Sequence, residues 1–186
     1  MIRLVIILSL FLVVSCKREY SYERVPINID TIAVTINPVP ELPPCIACNN
    51  YTDPIGLNQW SLKAEQSKAC GIIDTAIATF DRAAFTFFGA SSCSIDTGLV
   101  MTVYLENVKL DKDLSNVYVP KVSFFYYDRV APTYIFISSA RYPFSVYIDK
   151  YEHQTKTVTG RFDGFAKRTN GVNAFISQGH FKVKVL

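Results

Sequence analysis

The residues of this chain with the clearest chemistry are four cysteines, Cys45, Cys48, Cys70 and Cys93. Their number is even, so we predict disulfide bonds in an oxidising compartment, with three possible pairings. Cys45 and Cys48 also form a C-x-x-C motif, which serves redox chemistry when it lies at a helix N-terminus that lowers the thiol pKa. Here the motif follows Pro43-Pro44 and precedes Asn49-Asn50. This setting favours a structural role over a redox one.

Metal binding and catalysis find little support in the sequence. A structural zinc site usually draws its ligands from two closely spaced pairs, but Cys70 and Cys93 lie 23 positions apart. The two histidines, His153 and His180, are read as an exposed turn residue and a strand-face residue. No Gly-x-Ser-x-Gly nucleophile motif occurs. We therefore predict no metal, no cofactor and no enzymatic activity.

A fifth cysteine, Cys16, ends an apolar run at the N terminus. Residues 4–14 are apolar apart from Ser9. As a helix these eleven residues would rise about 16 Å, too little for a hydrocarbon core of about 30 Å. We therefore predict that residues 1–15 are a signal peptide. The sequence Leu-Val-Val-Ser-Cys over residues 12–16 resembles the lipobox of bacterial lipoproteins.

That resemblance implies cleavage after Ser15 and lipidation of Cys16, including acylation of palmitate type. Two or more acyl chains anchor a protein stably, whereas one chain alone is marginal. The expected location is the cell envelope, on the outer membrane, with the surface and the periplasmic side both left open. The membrane is thus the first expected partner.

Residues 16–56 differ in composition from the rest and are predicted to be a tether. Six of the nine prolines lie here, and proline favours extended chain over helix. Within the tether, residues 27–36 alternate apolar and polar side chains, with a slip at Asp30-Thr31. Two interpretations follow for this stretch, a strand docked on the domain or a free linker.

Residues 57–186 are predicted to form one all-β domain, an antiparallel sandwich or a barrel. Alternating or β-branched and aromatic segments recur at short intervals, and turn-like stretches separate them. Asn170-Gly171 is the strongest hairpin signal. The predicted strands include residues 99–108, 122–127, 134–137, 144–148, 158–162 and 181–185.

Residues 72–84 are ambiguous. Their apolar side chains recur at helical spacing, which would suit an amphipathic helix. Isoleucine and threonine are middling helix formers, and Gly71 stands at the start. We favour strands interrupted at Asp74 and at Asp81-Arg82.

The C-terminal strands show a further resemblance. The segments at residues 148–151, 158–162 and 176–183 are similar to the closing strands of uncharacterised Bacteroidetes-type lipoproteins, and residues 60–64 resemble their first strand. This resemblance implies a compact envelope β-domain and transfers no catalytic residue. The triplets around Thr31 and Thr75 resemble the short O-glycosylation acceptor of the same bacteria, so both threonines are candidate glycosylation sites.

Charge and aromatic content narrow the expected partners. The net charge is only +3 and no Lys/Arg run exceeds two residues, so nucleic acid is not an expected partner.

Residues 124–127 are Phe-Phe-Tyr-Tyr and must face both sides of their strand. If Phe125 and Tyr127 lie outward beside Tyr147, they form a platform for a glycan or a peptide. We predict a non-catalytic binding or accessory module. The alternative is a structural lipoprotein that contacts another envelope protein in the periplasm.

Overall fold

A computed structural model describes residues 45–50, 55–130 and 133–186, and it is an all-β structure. These residues hold one short 3-10 helix, Ile46–Asn50, and eleven strands. The strands are β1 (Gln59–Ala64), β2 (Ser67–Ile72), β3 (Thr75–Ala78), β4 (Ala84–Ala90), β5 (Thr97–Tyr104), β6 (Leu114–Val119), β7 (Val122–Asp128), β8 (Thr133–Ser138), β9 (Phe144–Glu152), β10 (Thr157–Arg168) and β11 (Asn173–Lys184).

The strands form one antiparallel sheet that curls into a half-barrel, which confirms the all-β prediction. The main path runs β2-β1-β11-β10-β8-β7-β5-β4-β3. Strand β10 pairs with β11 along one side. On its other side β10 pairs first with β9, and then with β8 from Ala166 onward. Because β9 also carries β6, the sheet divides at β10 into a short arm (β9, β6) and a long arm (β8, β7, β5, β4, β3).

Gly164 stands where β10 changes partner. It is the last residue of β10 paired with β9, opposite Phe144. A Cβ atom at Gly164 would lie 2.5 Å from Phe144 Cα and 2.5 Å from the Pro143 carbonyl oxygen. The φ angle of +144° is also one that glycine alone adopts readily. The start of β9 can therefore abut β10 only because this residue has no side chain.

Aromatic rings fill the concave side of the sheet. Phe87 of β4 stacks on Phe181 of β11 with ring centroids 4.9 Å apart, and Trp60 of β1 meets Tyr126 of β7 edge-on at 6.0 Å. All four rings are essentially inaccessible to solvent. They join strands that are distant in the sheet order, so the curl buries one apolar core between its arms.

The two ends of the main strand path approach each other at one end of the half-barrel. A β-bridge joins Gly71 of β2 to Ser91, just after β4, and Ser92 N–H donates to the Cys70 carbonyl at 2.8 Å. On the β3 side, Leu186 N–H donates to the Ala76 carbonyl at 2.9 Å. These contacts tie β2 and the end of β11 to the β3–β4 hairpin.

The structure supports the strand interpretation of residues 72–84. Strand β3 lies between breaks at residues 73–74 and 79–83. The second break is a turn in which Thr79 Oγ1 donates to Asp81 Oδ1 at 2.7 Å and accepts from Ala84 N–H at 3.0 Å. Arg82 has a left-handed φ of 58°, which a helix could not accommodate.

Several predicted strand boundaries differ from the observed ones: β9 continues to Glu152, β10 continues to Arg168, and β11 begins at Asn173. The strand expected at residues 99–108 ends at Tyr104. Beyond it, Leu105 N–H donates to the Ala83 carbonyl at 2.7 Å and Leu110 N–H donates to the Arg82 carbonyl at 3.0 Å. Both leucines are buried, so they pack into the core from a loop and not from a strand.

The predicted signal peptide, Cys16, the tether and the alternating stretch at residues 27–36 lie outside the described residues, apart from the tether's last part. Within the described ranges no helix is long and apolar enough to cross a membrane.

Replacing Gly164 with alanine tests the division of the sheet. Gly171 is the matched control, because it also has a positive φ (+84°) but nothing closer than 4.0 Å to a new Cβ. We expect Gly164→Ala to lower the free energy of unfolding by about 2 kcal/mol more than Gly171→Ala, because only the first adds a steric clash to the backbone strain. Urea denaturation of both variants measures the difference. Equal losses would show that the close approach at Gly164 relaxes without cost.

Candidate functional site

The outward face of β9, β10 and β11 carries polar and charged side chains beside three surface depressions. On β10, Thr159, Arg161 and Asp163 point to solvent, while the residues between them are buried in the core. This alternation is the expected consequence of strand geometry with one wet face. These polar side chains therefore project from the solvent-facing side of a sheet whose other side packs in the core.

A β-bulge in β9 sets the arrangement of charges on this face. The register between β9 and β10 shifts between Thr159 and Gly160. As a result Asp149 and Lys150 are consecutive and neither is buried, while Ile148 and Tyr151 on either side face the core. The bulge adds an acidic side chain to the outer face without disturbing the buried residues.

Asp149 fixes the side chain of Arg161. Arg161 Nε donates to Asp149 Oδ1 at 3.0 Å, and Nη2 lies 2.9 Å from the same oxygen. The hydrogen bond and charge of Asp149 raise the pKa of Arg161 further above its usual value, so the guanidinium is permanently cationic. Its central carbon lies 5.0 Å from the ring centroid of Tyr147, which faces Arg161 across the β9–β10 ladder. The guanidinium is thus held over an aromatic ring by a carboxylate.

Tyr118 extends this cluster to the next strand. It pairs with Tyr147 in the β6–β9 ladder, and 62% of its surface is exposed. A depression of about 380 Å³ lies between these side chains, and its lining is Tyr118, Ser145, Tyr147, Arg161, Phe162 and Asp163. We call Tyr118, Tyr147, Arg161 and Asp149 the tyrosine–arginine strip.

Two further depressions continue from the strip along the same face. The first, about 320 Å³, lies beside Asp149, Arg161, His180 and Lys182. The second, about 760 Å³, shares Lys182 with the first. Its charged lining is four cations and one anion, Lys150, Lys156, Lys182, Lys184 and Glu152. One end of the face is therefore aromatic, and the other end is basic.

The carboxyl groups with shifted pKa values do not resemble a general acid. Hydrogen bonds from Lys150 and Thr155 lower the pKa of Glu152. A hydrogen bond from Thr79, followed by one from the Ala83 backbone, lowers the pKa of Asp81. A glycosidase general acid requires the opposite shift, so that the carboxyl keeps its proton at neutral pH. Both carboxyls are deprotonated there and act as fixed charges.

The predicted platform residues lie in two places. Phe125 and Tyr127 of β7 are half-buried and neighbour each other, with ring centroids 6.5 Å apart. Tyr134 adjoins Phe125 at 6.2 Å, and the Arg129 guanidinium lies 5.5 Å from the Tyr127 centroid. Tyr147 belongs to the short arm, whereas β7 belongs to the long arm. Among the described rings, Tyr147 makes no contact with Phe125 or Tyr127.

Sequence reasoning missed Tyr118 and Arg161. Strand β6 has exposed Ser115 and Asn116, and a left-handed φ of 56° at Asn116 breaks its alternation. Only the pairing of β6 with β9 brings Tyr118 beside Tyr147. The sequence did indicate that Arg161 faces solvent, because it alternates with Thr159 and Asp163 on a predicted strand.

The remaining predicted positions are located as follows. His153 lies exposed in the turn after β9, and His180 is half-buried on the outer face of β11. Thr75 is half-buried on β3, so its candidacy for glycosylation stays a prediction. Thr31 and Cys16 lie outside the described residues.

The four cysteines form two disulfides, Cys45–Cys93 and Cys48–Cys70. Each bond joins one member of the C-x-x-C motif to a cysteine farther along the chain. Cys70 is in β2 and Cys93 follows β4, so the pair of bonds covers the place where those strands meet. Both bridges close loops, which limits the freedom of the unfolded chain.

Peptide mapping of the oxidised protein tests this pairing. Elastase can cut after Ala47 and so separate Cys45 from Cys48, and mass spectrometry then identifies the linked peptides. We expect Cys45–Cys93 and Cys48–Cys70, with no free thiol among the four. A Cys45–Cys48 link would contradict the arrangement, because both cysteines of that motif face partners on the sheet.

The similarity of the closing strands to Bacteroidetes-type lipoproteins stays a prediction from sequence. No protein-family model, no curated protein and no solved structure matches this chain.

Proposed function

We propose that the chain is a non-catalytic binding module that is lipid-anchored to the cell envelope and holds an acidic oligosaccharide on the tyrosine–arginine strip. The observation that carries the proposal is the fixed position of Arg161, which Asp149 holds over the ring of Tyr147 beside the exposed Tyr118. The positioned Arg161, the Asp163 carboxylate and two tyrosine rings line one depression, with Asp149 in the adjoining one, and together they provide the contacts that a sugar needs.

The strip offers both kinds of contact that sugars make. A pyranose has a flat face of C–H groups, which packs on an aromatic ring, and hydroxyls at its rim, which need donors and acceptors. Tyr118 supplies the accessible ring, while Asp149 and Arg161 supply an acceptor and donors. Arg161 bonds to Asp149 through Nε and Nη2, so within the described residues Nη1 remains for a ligand. The 380 Å³ depression suits one or two sugar units.

The neighbouring lysines favour an acidic sugar. The largest depression on this face has four lysines and a single glutamate in its lining, although the whole chain has a net charge of only +3. Such a local excess of cations attracts uronate or sulfate groups. The aromatic end would position the chain of sugars, and the basic end would select its charge.

The lipid anchor rests on the sequence. The resemblance of residues 12–16 to a lipobox supports acylation at Cys16, and the proline content of residues 17–44 suits a spacer. A binding module on such a spacer reaches ligands away from the bilayer. A peptide or another envelope protein is the competing occupant, and the experiment below separates it from a sugar.

Binding to immobilised oligosaccharides tests the proposal. We expect the purified protein to retain uronate-containing or sulfated oligosaccharides over neutral ones, with affinity that falls as salt rises. Tyr118→Ala should weaken binding about tenfold, or about 1.4 kcal/mol, through loss of ring contact. Tyr147→Ala should weaken it by a similar factor, because Arg161 loses the ring over which it is held. Calorimetry with a retained oligosaccharide measures this change.

Tyr104→Ala is the matched control, because Tyr104 is also an exposed strand tyrosine but lies on β5 in the long arm. It should leave binding unchanged. Equal affinity in the wild type, Tyr118→Ala and Tyr147→Ala would exclude the strip as the binding surface. Retention of envelope peptides and no oligosaccharide would replace the sugar with the competing partner.

A further inference from the structure

The four cysteine sulfurs meet at one point. All four Sγ atoms lie within 4.8 Å of one another. The two disulfides are in contact through Cys48, whose sulfur is 3.2 Å from Cys45 Sγ and 3.3 Å from Cys93 Sγ. Two disulfides can each close a loop without touching each other, so this contact is an additional feature of the arrangement. Four sulfurs that converge from three chain segments are, when reduced, a ligand set suited to a soft metal ion.

Backbone and hydroxyl hydrogen bonds hold the sheet half of this cluster. Ser91, the one buried polar residue in the described part of the chain, donates its hydroxyl to the Cys70 carbonyl at 3.2 Å. Ser91 Oγ in turn accepts a hydrogen bond from Cys93 N–H at 3.1 Å. The Gly71–Ser91 bridge adds a second link. Cys70 and Cys93 therefore stay close together without help from the sulfur–sulfur bonds.

The 3-10 turn holds the other half. Cys48 N–H donates to the Cys45 carbonyl at 3.1 Å, so both side chains of the C-x-x-C motif leave one tight turn. Cys48 and Cys70 are buried, whereas Cys93 is exposed. The interior side of the cluster excludes water, and the exposed side gives a reductant and a metal ion access.

We propose that, once both disulfides are reduced, the four thiolates bind one Zn²⁺ ion tetrahedrally. With Zn–S bonds of about 2.3 Å, the sulfur–sulfur edges of such a site are about 3.8 Å. The contacts between the two bridges, at 3.2 and 3.3 Å, need to lengthen by about half an ångström to reach this edge length. The two bonded pairs must open further, and the flexible side-chain torsions of cysteine allow this.

The conversion balances with a dithiol as reductant. Each disulfide takes two electrons and two protons from one dithiol, which itself becomes a disulfide, so two dithiols yield four cysteine thiols. Zinc binding then displaces protons from these thiols, because the thiolate is the ligand. Reoxidation by two equivalents of a disulfide oxidant restores both bridges and releases the ion. The cluster thus exists either as two disulfides or as one metal site.

Metal titration of the full-length protein tests the proposal. One sample stays oxidised, and the other is reduced with dithiothreitol and freed of it under nitrogen. We expect one Zn²⁺ per reduced chain, measured by competition with a chromophoric chelator, and none per oxidised chain. Co²⁺ should give the visible absorption of a tetrahedral tetrathiolate site. Binding should release protons and therefore weaken as pH falls.

Two serines provide a matched pair of variants. Ser91→Ala removes the hydroxyl that positions Cys70 and Cys93 and should weaken Zn²⁺ binding 10–100-fold. Ser92→Ala changes the exposed neighbour and should not alter binding. Cys93→Ser should change the Co²⁺ spectrum because one thiolate is lost. Proton release and the spectrum distinguish a ligand set from a general effect on stability.

The reduced chain can lose its sheet, so circular dichroism accompanies the titration. If the β-sheet signal falls on reduction, Zn²⁺ should restore it. Failure of Zn²⁺ to bind a reduced and folded chain would overturn the proposal, and so would failure to restore the fold of an unfolded one. Equal Zn²⁺ affinity in wild type and Cys93→Ser would also overturn it.

Discussion

The whole arrangement depends on the absence of a side chain at Gly164. At this residue the backbone of β10 lies so close to the start of β9 that no space remains for a Cβ atom. Because the approach is possible, β10 can leave β9 and pair with β8, and the sheet gains two arms on one side of a long strand. The curl of the long arm then brings Phe87 over Phe181 and encloses the core. The tyrosine–arginine strip on the short arm and the cysteine cluster, where the curl closes, both depend on this division of the sheet.

The two features use the fold in different ways. The tyrosine–arginine strip lies on the short arm, where regular strand alternation and one bulge place Asp149, Tyr147 and Arg161 on the outer face. The cysteine cluster lies where the curl closes, and it depends on contacts between distant strands such as the Gly71–Ser91 bridge. The outer face of β9 is exposed to solvent, so it accommodates a bulge and charged side chains. The closure of the curl instead brings together residues that are far apart in the chain, such as Gly71 and Ser91.

This difference explains what could be predicted from the sequence. Alternation along a single strand is local, so the all-β class, the turns and the outward side of β9 were predictable from residues such as Val146, Tyr147 and Ile148. Pairing between strands is not local. The pairing of Tyr118 with Tyr147 requires the β6–β9 ladder, and the separation of Phe125 from Tyr147 requires the two arms. The argument against a zinc site used only the spacing of Cys70 and Cys93 along the chain. Closure of the sheet brings these two cysteines together in space, which their spacing in the sequence does not show.

The Cys45–Cys93 bond determines how the domain would bear mechanical load. Tension applied to the chain before Cys45 passes through this covalent link to the loop after β4 and reaches the long arm directly. Strand β1, although it is the next strand along the chain, is bypassed and is not peeled from β11. Without this bond and the Cys48–Cys70 bond, the same tension would reach β1 first. Oxidation of the cluster thus moves the point at which tension enters the sheet from the start of β1 to the loop between β4 and β5.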